Sequence, residues 1–470
     1  MIYAPEKGLL RDPSVFWHDG FYYAVMTQTP RAAPAEDAAT DPECGFLARS
    51  RDGVHWRDWK KTCYEPYREH GAVFSNTFVG KVGDRFLMNH GVVFAHQNIL
   101  RFCKSKNLDS WTLTGSCFPD SRWYDPMGRW DAMYVLPKAE ENPSGGYWGF
   151  LTATPRNEYG RGFGLAESAD GFSWNFLPPP RVEWDDMAPH DLEVGGVEMI
   201  GEKYVMIAGG RPVYKGEYIV CVLSAHRPNG PYTPDKEAFV LSDGATKAAW
   251  GRGKDGELLI TEYGGAHAGP WLLPLRRPVF SNGHLRLGWR QENEKLKGDV
   301  IDGTGQEIKL TKGVDREMCW LTGDFDRRRG VFIEGTIRAD PRGEQSGAGF
   351  VFEEPKHPYD NYRKTLDIRM EVGGPEKCET LTGHWNSVTG LVVASRIGRG
   401  HASLHNLNPG AKQSFKLLVR HDMFELYVDD LLVKSGQFHA DYHRTGIGLM
   451  AYNCEVSFSS LKSYFMDLKG

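Results

Sequence analysis

No run of eighteen apolar residues occurs in this 470-residue chain, so membrane-spanning helices are not expected. The N-terminal Met1-Ile2-Tyr3-Ala4-Pro5-Glu6-Lys7 lacks the basic and apolar parts of a secretory signal. A cytoplasmic location is the expectation, or a secreted or periplasmic one where a signal has been removed. No block of five or six like charges appears, and the formal net charge is −5. Nucleic acid and anionic membrane are therefore poor partners, and a small neutral substrate fits better. The eight cysteines, at 44, 63, 103, 117, 221, 319, 378 and 454, show no Cys-x-x-Cys or paired histidine spacing. Neither a zinc site nor a redox motif is expected, and no metal or cofactor is called for.

What the chain does have is aromatic residues and turn formers: 14 Trp, 20 Tyr and 24 Phe beside 54 Gly and 27 Pro. That mixture suits an all-β protein with many turns, and the length implies at least two domains.

Repeats organise the first part. Asp12-Pro13-Ser14-Val15-Phe16-Trp17-His18-Asp19-Gly20-Phe21-Tyr22-Tyr23 reads as two strands joined by an Asp-Gly turn. Related hairpins follow at Ser75–Met88, Trp130–Leu151, Glu193–Met206 and, more faintly, Trp250–Ile260. A second hairpin, stamped Ser-x-Asp-Gly-x-x-Trp, follows at Ser50–Trp56 and Ser168–Trp174, with Ser105–Trp111 a looser copy. Two hairpins make a four-stranded sheet, and five such units make a five-bladed β-propeller over residues 1–290. The polar stretch 291–314 reads as a linker. Beyond it, 315–470 carries short apolar strands such as Gly330–Ile337, Ser414–Val419, Met423–Val428 and Gly446–Ala451, expected to form a β-sandwich of jelly-roll or lectin type.

In a propeller the innermost strands line one channel, so residues at matching places in successive blades converge. Counting back from each central turn reaches Asp12, then Ser75 or Asn76, then Asp131, then Glu193. Three carboxylates in one small space resist simultaneous ionisation, so at least one is expected to hold its proton near neutrality. That combination serves glycoside cleavage, where one carboxyl protonates the leaving oxygen and a second attacks the anomeric carbon or activates water.

These residues resemble the five-bladed glycosidases of glycoside hydrolase families 32, 68, 43 and 62, and most nearly family 32, whose propeller is followed by a β-sandwich. Arg11-Asp12-Pro13-Ser14-Val15 stands where that family has Asn-Asp-Pro-Asn-Gly. Arg129-Trp130-Asp131-Ala132 loosely matches its Arg-Asp-Pro motif, and Glu193-Val194 its Glu-Cys motif. The resemblance implies a retaining β-fructofuranosidase-like hydrolase with Asp12 as nucleophile, Asp131 as transition-state stabiliser and Glu193 as acid/base. The Asp-Pro alone looks equally like family 43, which would imply an inverting arabinofuranosidase or xylosidase. A non-catalytic carbohydrate-binding propeller is the reading from another class.

Each acid also has a structural reading: Asp12 before Pro13 opens turns commonly, and Glu193 has rivals in Asp191 and Glu198. Trp17, Trp130, Trp250 and Trp271 are candidates for stacking on sugar faces, against packing between blades. Asn76, Asn89, His90, His190 and Arg252 are candidates for binding hydroxyls, and His267 for a channel water or calcium site. The expected partner is an oligosaccharide or glycoside, with no nucleic acid and no membrane, and a homo-oligomer remains open.

Overall fold

The computed structural model describes residues 1–469 apart from 7–8, 30–43, 63–72, 95–96, 139–144, 185–188, 213–217, 237, 239, 243–246, 266–269, 302–304, 306, 314, 344–345, 354–363, 373–379, 387–389, 398–406 and 439–442. The described chain is almost entirely β-strand and divides into two units. One holds residues 2–264 and the run up to Pro278; the other holds Met1 and residues 279–470.

The first unit contains the five expected blades, the first and fifth joined in one seven-stranded sheet. Their innermost strands are Leu9–His18, Val73–Val82, Trp130–Pro137, Pro189–Ile200 and Lys247–Arg252. Each neighbours the next, and the fifth returns to the first, which makes a closed ring of five blades. Closure has two parts. Phe16 pairs in parallel with Arg252 across the first and fifth inner strands. At the outer side the N-terminus adds to the fifth blade, Ile2 N–H to the Leu272 carbonyl at 2.9 Å and Leu272 N–H to the Tyr3 carbonyl at 2.8 Å. Closing a sheet assembly on itself removes exposed edges.

The turn stamps fold for local reasons. Ser50 Oγ accepts the Gly53 N–H at 2.9 Å, and Asp52 Oδ1 accepts those of Val54 and His55 at 2.9 and 3.0 Å. Ser168 and Asp170 repeat this with Gly171, Phe172 and Ser173. In the looser copy Asn107 replaces the aspartate, and Leu108 takes the left-handed φ of 63° that Gly53 and Gly171 adopt at 77° and 76°. A leucine there is strained by about 1–2 kcal/mol. Its side chain, 1% exposed, is buried in the core shared by the first two blades.

The second unit is a sandwich of two sheets. One runs Arg277–Ser281, His284–Gly288, Leu431–Gln437, Met423–Val428, Gln413–Arg420, Val331–Pro341 and Cys454–Met466, with Lys297–Val300 and Ile308–Leu310 both paired to the last. The other runs Arg316–Asp326, Arg444–Tyr452, Gly347–Glu353, Lys364–Glu371, Thr380–Asn386 and Gly390–Ile397. Ile333, Phe415, Phe424 and Phe458 from the first sheet meet Phe350, Phe352 and Ile447 from the second in one buried core.

The domain boundary expected at 290 falls earlier. The hairpin of Arg277–Ser281 and His284–Gly288 joins the sandwich sheet, Gly288 pairing with Leu431, and Trp289 N–H donates to the Asp430 carbonyl at 2.7 Å. The stretch 291–314 is not a bare linker either. Gln291–Leu296 forms a 3-10 helix, and the two short strands after it find backbone partners along Cys454–Met466.

Candidate functional site

Four of the five inner strands break their pairing register near the same level. The breaks fall between Arg11 and Ser14, between Ser75 and Thr77, between Trp130 and Met133 on the third strand, and on both sides of Glu193. The residues that fall within or beside them are Asp12, Asn76, Asp131 and Glu193, the four positions reached by counting along the repeats. A bulge turns a side chain away from the alternating pattern, and bulges gather at rims and sites for that reason. Asp12 itself has a φ of 51°, an uncommon conformation outside glycine.

Asp12, Asp131 and Glu193 meet at this level through shared partners. Arg129, just ahead of the strand that carries Asp131, bridges two of them. Its Nε and Nη2 donate to Asp131 Oδ2 at 3.0 and 2.7 Å, and its Nη1 donates to Glu193 Oε1 at 2.7 Å. The other Glu193 oxygen accepts the Tyr218 hydroxyl at 2.5 Å. Asp12 Oδ1 lies 3.3 Å from Lys247 Nζ and accepts the Tyr263 hydroxyl at 3.3 Å.

Two glycines make room for this. A Cβ on Gly195 would stand 1.9 Å from the Ala248 carbonyl oxygen, so only glycine lets the fourth and fifth inner strands close up and bring Lys247 beside Glu193. A Cβ on Gly209, the cross-strand partner of Glu193, would stand 2.1 Å from the Tyr218 hydroxyl.

The charges are unequal in their effects. Burial pushes the Asp12 carboxyl above its ordinary value; Lys247 opposes this, and Glu193 and Asp131 add to the rise. Glu193 is also pushed up by burial, but the charges of Lys247 and Arg129 and the Tyr218 hydrogen bond outweigh it and hold the group low. Tyr218 and Tyr263 are raised well above their ordinary values by burial and neighbouring carboxylates, so both remain phenols. Of these two acids, Asp12 is the one whose hold on a proton is strengthened and Glu193 the one whose hold is weakened.

Beside Arg129 opens a pocket of about 230 Å³ lined by Thr154, Asn157, Arg161, Trp184 and Leu192. Trp184 is held by one edge, its indole N–H donating to the Arg161 carbonyl at 2.9 Å, and is only part-buried.

Several candidates lie elsewhere. Trp130 is fully buried, packed against Tyr124 and Phe176, and Trp250 is 1% exposed with its indole N–H on the Val205 carbonyl; both pack within the propeller and offer no face to a sugar. Asn89 and His90 are fully buried. Asn89 clamps the backbone of Met133 in the next blade, and burial lowers His90 to about 3, with Arg101 adding to the fall. Arg252 pairs with Glu198, which is 1% exposed and also receives the Tyr134 hydroxyl, at the opposite end of the inner strands. Trp17 stands five residues beyond Asp12, roughly 16 Å along the strand, with its ring against Tyr22. Trp271 is on the outermost strand of the fifth blade. The side chains of Asn76 and His190, and all of His267, lie outside the described residues.

Arg129 entered the reading of the sequence only as part of a loose motif, without a role, and Lys247, Tyr218 and Tyr263 escaped it. Lys247 stands at the start of the fifth inner strand, where the register argument would have found it had the fifth repeat been aligned one turn earlier.

No family model matches the sequence, and no curated protein matches it. Solved structures do match along nearly the whole chain. The Aspergillus kawachii β-fructofuranosidase complexed with glycerol aligns with a TM-score of 0.70 at 13% identity, over 99% of this chain and 94% of its own. The fructan 1-exohydrolase IIa of Cichorium intybus in complex with 1-kestose gives 0.67 at 11%, over 99% and 97%. The sucrose-6-phosphate hydrolase of Lactobacillus gasseri gives 0.66 at 14%, over 97% and 91%. The fold is theirs. At such identities the likeness extends to the fold and not to the chemistry.

Proposed function

We propose that this chain is a glycoside hydrolase acting at the Asp12, Asp131 and Glu193 cluster, with fructofuranosides as substrates and net retention at the anomeric carbon. The observation that carries this reading is the meeting of three acids from three blades, each at a register break, around one guanidinium and one ammonium. Within it two interacting carboxyls are shifted in opposite directions, Asp12 up and Glu193 down, and acids set apart in this way are what proton transfer to a leaving oxygen uses.

In the first step Asp12 attacks the anomeric carbon as Glu193 protonates the departing oxygen. Water then attacks the glycosyl-Asp12 ester, with Glu193 taking its proton. Asp131, oriented by Arg129, stabilises the positive charge that develops on the sugar. Burial raises Asp12 and the neighbouring cations lower Glu193, which runs against these roles, so turnover requires the form in which Glu193 carries the shared proton. Such a pair titrates jointly, and the pH profile of kcat/KM reports the pair. The pocket beside Arg129 receives the leaving group. Fructofuranosides are favoured because the solved structures of this fold named above are a fructofuranosidase, a fructan exohydrolase and a sucrose-6-phosphate hydrolase.

The test is a screen of sucrose, 1-kestose, arabinofuranosides and xylosides, with NMR of the first-formed anomer. Retention on a fructoside supports the reading, and inversion on an arabinoside or xyloside replaces it. Glycan binding without turnover would make the propeller a binding module. Asp12→Asn or Glu193→Gln turning over at the parental rate would remove the catalytic assignment.

A further inference from the structure

Blade five carries no acid at the level where blades one, three and four carry theirs. It carries Lys247, side chain 10% exposed, with Nζ 3.3 Å from Asp12 Oδ1. We propose that Lys247 is a positioning residue that sets the protonation of the Asp12 and Glu193 pair, and with it the pH range in which the site works. The activity readout of this inference rests on the glycoside-hydrolase reading above; its electrostatics do not.

The groups that face Lys247 define its task. From its own blade comes Tyr263, directly opposite it across the hairpin and donating to the same Asp12 oxygen. Blade one supplies Asp12, blade four Glu193 and Tyr218, blade three Arg129 and Asp131. Arg129 is committed to Asp131 and Glu193, and its recorded bonds do not reach Asp12. Lys247 therefore differs from Arg129 in acting on both working acids, and with one sign: its charge lowers Asp12 and Glu193 alike. Its contact is with the Asp12 carboxylate, and both side chains are nearly buried.

Activity requires one proton shared between the two acids. The acid limit of the profile is uptake of a second proton, and the alkaline limit is loss of the shared one. Removing a positive charge favours protonation at both limits, so the whole bell moves to higher pH. An opposite charge at this range is worth roughly one to three pH units. On the acid limb, where kcat/KM falls about tenfold per pH unit, the neutral variant then loses roughly 10- to 1,000-fold at a fixed pH, and recovers it at higher pH.

The experiment compares kcat/KM for sucrose between about pH 3 and 10 in the parent, Lys247→Met, Lys247→Gln and Lys247→Arg. It is joined by a ¹³C NMR titration of the Asp12 carboxyl, assigned by its loss in Asp12→Asn. Displacement of both limits upward in the neutral variants, a raised Asp12 midpoint and parental limits in Lys247→Arg are the expected results. Limits that stay in place while the height falls would mean a merely structural lysine and overturn the proposal. So would a Lys247→Arg profile displaced as far as that of Lys247→Met, because shape and not charge would then decide. If the parent cleaves no glycoside, the functional reading fails by itself and the NMR midpoint alone decides for or against Lys247.

Discussion

Replacing Arg129 by methionine tests the centre of the site, because one guanidinium holds two carboxylates. The change removes bonds of 2.7 and 3.0 Å to Asp131 and one of 2.7 Å to Glu193. Stripping the partner from a buried charge costs about 3–5 kcal/mol. The Arg129 side chain is 32% exposed, so water replaces part of what is lost. Roughly 2–3 kcal/mol of propeller stability is the expected loss near neutrality, which is roughly a 5–10 °C fall in Tm for a unit of this size. The sign of its pH dependence follows from Glu193. A carboxyl held low in the folded state stabilises above its unfolded value, near 4.3, and that stabilisation disappears as pH falls through the folded value. Without Arg129 the folded value rises, so the Tm gap between parent and variant is widest at pH 7 and narrows toward pH 4. Calorimetry at several pH values measures it. A gap of equal size at pH 4 and pH 7 would refute the reasoning, since it would mean that the arginine contributes packing and not charge. The kinetic companion is specific: Arg129 bonds Glu193 and not Asp12, so Arg129→Met moves the acid limit of kcat/KM upward by roughly one unit and leaves the alkaline limit in place.

Two further outcomes check the neighbourhood. Arg252→Ala leaves the nearly buried Glu198 without its guanidinium at the far end of the inner strands; it should lower Tm by several degrees while kcat and KM for sucrose stay within twofold. Trp184→Ala removes the aromatic wall of the leaving-group pocket and should raise KM for sucrose by roughly 10-fold, the value of one good aromatic contact, while methyl β-fructofuranoside, whose leaving group is too small to reach the ring, is cleaved as before. Equal losses on both substrates would place Trp184 outside the leaving-group path.

The repeats carried most of the propeller in plain view. Strand alternation, Asp-Gly turns and the Ser-x-Asp-Gly stamp act over a few residues, and each folds as its local chemistry demands. Hence the acids at Asp12, Asp131 and Glu193 could be placed at one level without any motif intact. The hairpin of Arg277–Ser281 and His284–Gly288 misled because its local pattern is that of a blade hairpin. Its partner, Leu431–Gln437, lies in a distant part of the chain, and pairing over such separations leaves no local mark. Trp130, Trp250, His90 and Arg252 were placed on the correct strands and given the wrong task, since facing a neighbouring blade or facing the channel is decided by which surface the next blade covers.

By itself, then, the sequence determined the all-β character, the fivefold repeat, the sandwich after it and the level at which three acids stand, because these follow from periods of two residues and from turn chemistry. Only the tertiary structure decided which cations and phenols face those acids. Arg129, Lys247, Tyr218 and Tyr263 come from three blades, and a lysine or tyrosine bound for a buried site has the same letter as one bound for water. Closing the ring brings them within hydrogen-bond distance, and electrostatic interactions that depend on ångströms become fixed at that point.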